Sequence, residues 1–204
     1  MLKEQLLAGA AALGQDLDPL QVEQLIRYLA LLCKWNKAYN LTGIGEPARI
    51  ISHHFLDSLS IAPHIQGNEL IDVGSGAGFP GLPLAICFPS RRFVLLDSNA
   101  KKTRFMHQVG VELKLTNIEV VNDRAELMID RTFDCILVRA LGSLRSIAEM
   151  TAHLLGGDGV ILAMKGELTK VELSEVPENI KVQGIHPLTV PGVTGIRKVV
   201  MLSS

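Results

Sequence analysis

Two periodicities divide the chain. Up to about residue 66 the apolar positions recur at helical spacing, and from Glu69 onward they gather into short runs separated by helical segments. The opening MLKEQLLAGAAALG reads as an amphipathic helix and not a secretory leader, because Glu4 and Gln5 interrupt the region that would have to be basic or apolar, and Asp16 and Asp18 follow at once. Asp18 and Pro19 then supply a cap and a first-turn proline. They open a helix to about Tyr39 with Leu25, Ile26, Leu29, Leu32 and Cys33 along one stripe. Asn40 to Gly45 breaks it. A further helix is expected from about Glu46 to Ala62, burying Ile51, Phe55, Leu59 and Ala62, before Pro63 and Gly67 end the helical third.

Apolar strands are expected at 69–73, 92–96, 118–121, 133–138 and 159–164, with helical segments between them. That alternation is the signature of βαβ units and a mostly parallel sheet. The tail changes again: VQGIHPLTV and IRKVVMLS read as two strands joined through Pro191, Gly192 and Gly195, an antiparallel addition to the sheet edge. The expected architecture is a Rossmann-like α/β fold of seven strands at 67–204 with a helical extension at 1–66.

The stretch ELIDVGSGAGFPGLPLAICFPSRRFVLLD, Glu69 to Asp97, carries the first chemistry. Glycines let a backbone turn sharply and approach a ligand closely. The helix expected over Pro80 to Ile86 would offer free N–H groups to an anionic part of that ligand. Asp97, roughly twenty residues on at a strand end, suits a ribose. Gly76, Gly78 and Gly81 spell GxGxxG, the dinucleotide fingerprint, while Gly74, Gly76 and Gly78 spell the GxGxG of S-adenosylmethionine enzymes. Pro80 and Pro83 remove donors where a pyrophosphate would sit. Asp72 would repel a pyrophosphate yet assist a ligand bearing an ammonium and a sulfonium. Both features, with the closing hairpin that a standard dinucleotide fold lacks, favour the methyl donor.

With 204 residues the chain can bury a substantial core. No segment approaches about eighteen uninterrupted apolar residues, so no membrane span is expected, and the cytoplasm is the default location. Cys33, Cys87 and Cys135 lie in apolar runs without CxxC spacing and read as reduced, buried small hydrophobes. A formal net charge of −1 argues against indiscriminate nucleic-acid binding, so a polyanion partner would need a local patch.

In an open parallel sheet, ligands bind beyond the carboxyl ends of the strands. That rule selects the Gly74 to Gly78 loop, Asp97, Asp123 to Glu126, Arg139 and Lys165. Arg139 and Lys165, at adjacent strand ends, would flank a cleft for an anionic substrate. Lys101, Lys102 and Arg104 stand at the start of the helix opening near Ser98, where the helix dipole disfavours cations, which points to a phosphate-binding patch. His53 and His54 read as a helix-surface pair. Trp35, Tyr39, Phe79 and Phe105 could stack on a base; Trp35 and Phe105 read as core and Phe79 as the ligand contact.

WNKAYNLT (Trp35 to Thr42), HHFLDSL (His53 to Leu59), DVGSGAGFPGLPLAI (Asp72 to Ile86), LLDSNAKKTRF (Leu95 to Phe105), DRAE (Asp123 to Glu126), LVRAL (Leu137 to Leu141) and MKG (Met164 to Gly166) occur in order. This set resembles the glucose-inhibited division protein B family, small-subunit (16S) ribosomal RNA guanine-N7 methyltransferases. The resemblance implies the class I methyltransferase fold, S-adenosylmethionine as donor, and the ribosomal RNA or 30S subunit as partner; a monomer without a metal is expected. It implies that Gly74 and Phe79 contact the donor, beside Gly76 and Gly78 of the glycine pattern. Ala125 and Glu126 would meet its adenine side, Asp97 its ribose, and Arg139 would close the site. Lys101, Lys102, Arg104, Arg124 and Lys165 would grip RNA. His53 stands where the family commonly has Arg, and Asn122 and Asp123 replace a more usual small residue. N7 of guanine has a free lone pair, so Arg139 and Lys165 would act by positioning and no general base is required. A methyltransferase for a small molecule, a nicotinamide oxidoreductase and a non-catalytic donor-binding module remain competing readings of the residues.

Overall fold

The computed structural model describes residues 1–204. Two helices open the chain, α1 (Leu2–Ala12) and α2 (Pro19–Tyr39). Asp18 caps α2 in a full capping box with Gln21, and Asn40 ends it in the left-handed conformation. The helix expected over 46–62 is built from three pieces: α3 (Pro47–Ile50), a π-helical turn (Ile51–Leu56) and α4 (Asp57–Leu59). Such wide turns concentrate at functional sites, and this one carries His53 and His54.

The strands are β1 (Glu69–Val73), β2 (Arg92–Leu96), β3 (Ile118–Val121), β4 (Phe133–Arg139), β5 (Leu155–Lys165), β6 (Lys181–Pro187) and β7 (Lys198–Ser203). Between them lie α5 (Gly81–Cys87), α6 (Ala100–Leu113), α7 (Leu144–Thr151) and α8 (Lys170–Ser174). Strand order is β3-β2-β1-β4-β5-β7-β6; the first five are parallel, and β7 enters antiparallel between β5 and β6. The tail hairpin therefore joins the edge as expected. β5 extends four residues earlier than its apolar run suggested, through the glycine-rich Leu155–Gly159 segment.

Each central strand is buried on both faces, and its period of two sorts side chains into two layers. Leu70, Phe93, Leu95, Cys135, Leu137 and Leu162 join a cluster of 35 buried residues, while Ile71, Val94, Leu96, Ile136, Val138 and Ile161 join one of 17 on the other face. The larger cluster also takes Leu6, Leu25, Tyr28, Leu32, Ile51 and Phe55, so the first 66 residues share one apolar core with the sheet. Cys135 is buried, but Cys33 and Cys87 are only half-buried, a correction to the expectation for all three.

Candidate functional site: a glycine-loop seat beside a basic cavity

The glycine loop hangs from the carboxyl end of β1. Gly74, Gly76 and Gly78 have φ of 70°, 63° and 98°, a region that costs other residues about 1–2 kcal/mol. A Cβ on Gly76 would meet nothing closer than Gly74 O at 3.9 Å and Lys102 Nζ at 4.0 Å, so that position opens onto empty space. Asp97 ends β2 opposite the loop. Its Oδ2 accepts from Gly76 N–H at 2.8 Å and its Oδ1 from Asn99 N–H at 2.8 Å, with Lys102 Nζ at 3.7 Å. The carboxylate thus clamps the loop, and each oxygen retains a further lone pair for a ligand.

A cavity of about 360 Å³ starts at this clamp, lined by Gly74, Asp97, Lys102, Asp123, Arg124, Ala125 and Glu126 with Val73, Leu96, Leu141 and Met150. Ala125 is buried; Arg124 and Glu126 are exposed at its edge. Beside it a second cavity of about 290 Å³ is walled by Gly74 to Ala77, Phe79, Leu41, Thr42, His54 and Arg139. Together they form a trough of nucleoside size along the glycine loop, with a carboxylate at its middle and apolar flanks. An S-adenosylmethionine molecule fits this lining: Asp97 could take the ribose, Ala125 and Glu126 the base, and the opened glycines the amino-acid arm.

Two expectations at this site are corrected. The N–H of Gly81, first in α5, is not free for a ligand, because it donates to Asp72 Oδ2 at 2.8 Å. α5 opens at Gly81, with Pro80 as its cap residue. Asp72 is fully buried beneath the loop, with Oδ1 unpaired, so it braces the turn instead of meeting a ligand. Burial pushes its carboxyl up to about 7, against the Gly81 bond.

His54 is the other correction, and the functional neighbour that sequence reasoning missed. It is buried, and its ring stacks on Phe79 with centroids 4.6 Å apart. Nδ1 lies 2.7 Å from Arg139 Nη2, and Nε2 lies 2.7 Å from Thr42 Oγ1. A guanidinium can only donate, so Nδ1 accepts and the proton sits on Nε2, donated to Thr42. Burial, then Arg139, holds the ring neutral with its pKa lowered to about 3. Phe79 itself lies in an aromatic cluster with Tyr28 and Phe55, and Tyr28 hydroxyl donates to Ala77 O. Phe105 is core and Trp35 is partly buried against it.

A basic cavity of about 360 Å³ lies on the far side of Arg139, lined by His53, Asp57, Lys165, Gly166, Arg197 and Lys198 among others. Arg139 Nη1 reaches Asp57 Oδ2 at 3.0 Å, and its guanidinium lies 5.5 Å from the Phe79 ring. Asp57 Oδ1 receives Arg197 Nε at 3.3 Å. Lys165 Nζ is 2.6 Å from both Glu172 Oε1 and Gly142 O, so its charge is matched by α8. Ala140, next to Arg139, has φ of 60°, a strained residue on the same wall. Lys101 and Arg104 are exposed on the first turns of α6, and Lys102 turns inward to Asp97.

The strand order, the glycine turn after β1 and the carboxylate after β2 define the class I S-adenosylmethionine-dependent methyltransferase fold. Solved structures share it at low sequence identity. A mutant of MtNAS in complex with S-adenosylmethionine gives a TM-score of 0.62 at 13% identity, over 91% of this chain and 72% of that one. TrmN from Thermus thermophilus gives 0.55 at 16%, over 76% and 53%. The chain belongs to the rRNA small subunit methyltransferase G (GidB) family, whose model matches residues 21–200. It is 51% identical over 201 residues to ribosomal RNA small subunit methyltransferase G of Pseudomonas paraeruginosa, covering 98% of this chain and 94% of the relative. The protein of the same name from Ectopseudomonas mendocina is 50% identical over 202 residues, with the same coverage.

Proposed function

We propose that the chain transfers a methyl group from S-adenosylmethionine to N7 of a guanosine in 16S ribosomal RNA, working in the cytoplasm as a monomer on RNA or the 30S subunit. The observation that carries this reading is the arrangement around Arg139: a nucleoside-sized trough along the glycine loop on one side, and a cavity rimmed by cations on the other. Family membership supplies the substrate class.

Gly74, Gly76, Gly78 and Phe79 hold the donor's amino-acid arm, Asp97 its ribose, and Ala125 and Glu126 its base. S-adenosylmethionine, when bound, supplies a sulfonium methyl whose S–C bonding pair stays on sulfur while the N7 lone pair forms the new bond. No proton leaves the base, and no residue beside the trough has to take one. The chain's contribution is therefore proximity and orientation. Lys101, Arg104 and Arg124 suit RNA phosphates, Lys102 turns inward to the donor trough, and Lys165, Arg197 and Lys198 face the basic cavity, where a splayed guanosine would enter. Residues 1–66 act as an extension of the methyltransferase domain at 67–204, bringing the His53 to Asp57 wall to the site.

Mass spectrometry of ribosomal RNA from cells with and without the protein tests this. One 7-methylguanosine should vanish from 16S RNA in its absence; an unchanged RNA, or loss of a different modification, would refute it.

A further inference from the structure

Arg139 forms the wall shared by the donor trough and the basic cavity, which creates an electrostatic problem. A guanidinium stays protonated at any working pH. On the proposed reading a sulfonium methyl passes to a purine that ends up cationic, so a bare cation on that wall would oppose the transfer. The structure contains the remedy. Asp57, 7% exposed at the side chain, reaches Arg139 Nη1 at 3.0 Å from the opposite segment of the chain, 82 residues away. Its other oxygen is engaged by Arg197, and His54, neutral, holds the remaining face of the guanidinium. Burial raises the Asp57 carboxyl, while Arg139 and Arg197 pull it down. A carboxylate is kept in this place only because the two guanidiniums compensate it.

We infer that Asp57 is a positioning residue for methyl transfer: its carboxylate, shared with Arg197, fixes the Arg139 guanidinium in the shared wall and offsets part of its charge where the transferring group passes. The wide turn before α4 delivers it there, since Asp57 follows the π-helical segment directly. In this role Asp57, which also lines the basic cavity, acts through Arg139. The inference rests on the proposed methyl transfer and adds to it the residue that makes a cation tolerable beside the reacting atoms.

The test is single-turnover methylation of 16S RNA by Asp57→Asn, an isosteric loss of charge, at saturating donor and RNA. The rate should fall about a hundredfold, the lower end of the cost of losing one preorganised electrostatic contact. S-adenosylhomocysteine affinity, read by calorimetry, and RNA KM should change by less than about threefold. In an Arg139→Gln background the same substitution should cost far less, because Arg197, the guanidinium left on Asp57, lines the basic cavity and not the donor trough. Should Asp57→Asn fail to fold, Asp57→Glu, which keeps the charge but displaces it from Arg139, is measured in its place and should show the same loss of rate with donor affinity unchanged. Full turnover in Asp57→Asn, a loss confined to RNA KM, or an equal loss in both backgrounds would overturn the inference. Failure of the unmodified protein to methylate RNA would instead sink the proposed function.

Discussion

His54 and Asp72 are buried ionisable side chains whose folded pKa values are displaced in opposite directions, and each leaves a signature in stability. His54 is depressed to about 3, so the stability tied to its neutral form is complete above the ordinary 6.5 and is lost as pH falls toward 3. Asp72 is raised to about 7, so its contribution is complete below the ordinary 3.8 and is lost as pH rises through 7. Between 3.8 and 6.5 the two slopes oppose. Denaturant unfolding across that window should show Asp72→Asn gaining stability with rising pH and His54→Gln losing it, each by up to about 1.4 kcal/mol per pH unit relative to the parent. Parallel lines for all three proteins would contradict the assignment. Neither side chain's environment was legible in sequence. A histidine pair on a helix reads as surface because its partners, Arg139 and Phe79, lie far along the chain, and Asp72 before a glycine loop looks like a ligand contact until Gly81 is seen to occupy it.

The glycine loop was the most legible element, because its residue types are dictated by backbone geometry that side chains would forbid. Its glycines nevertheless do different work. At Gly81 a Cβ would lie 2.3 Å from Leu95 Cδ2 and 2.8 Å from Asp72 Oδ2, so Gly81→Ala should destabilise the fold by about 1–3 kcal/mol through overpacking. At Gly76 the Cβ meets open space in the trough, so Gly76→Ala should cost only the left-handed strain of about 1–2 kcal/mol while weakening S-adenosylhomocysteine binding more strongly. Thermal melts and calorimetry on the same two variants separate these outcomes; equal losses of stability and affinity in both would contradict the division. The five parallel strands and the closing hairpin were also readable from apolar runs and turn residues. The interrupted helix at 47–59 was not, since its stripe of Ile51, Phe55 and Leu59 fits an unbroken α-helix, and nothing local announces a wide turn.

At the scale of the molecule, the helical third and the sheet form one core, with Leu6, Leu25 and Phe55 in the same cluster as Leu70, Leu137 and Val199. Calorimetric unfolding should therefore give one cooperative transition; two separated transitions would mean that the extension folds on its own. Net charge hides the polyanion partner. A formal −1 coexists with exposed Lys101 and Arg104 beside the trough mouth, and composition alone says nothing about where charges gather. Replacing both by Ala should reduce the slope of log RNA affinity against log salt by about 0.7 for each lost contact with single-stranded phosphate, leaving S-adenosylhomocysteine affinity unchanged. An unaltered slope would place the RNA elsewhere.

The most direct measurement uses the purified protein alone, with S-adenosylmethionine labelled in its methyl group and 16S RNA or small subunits from cells lacking the protein. The label should appear once, on N7 of a single guanosine, and Asp97→Ala should abolish it together with donor binding. Label on another atom, on a small molecule, or on nothing at all would contradict the account.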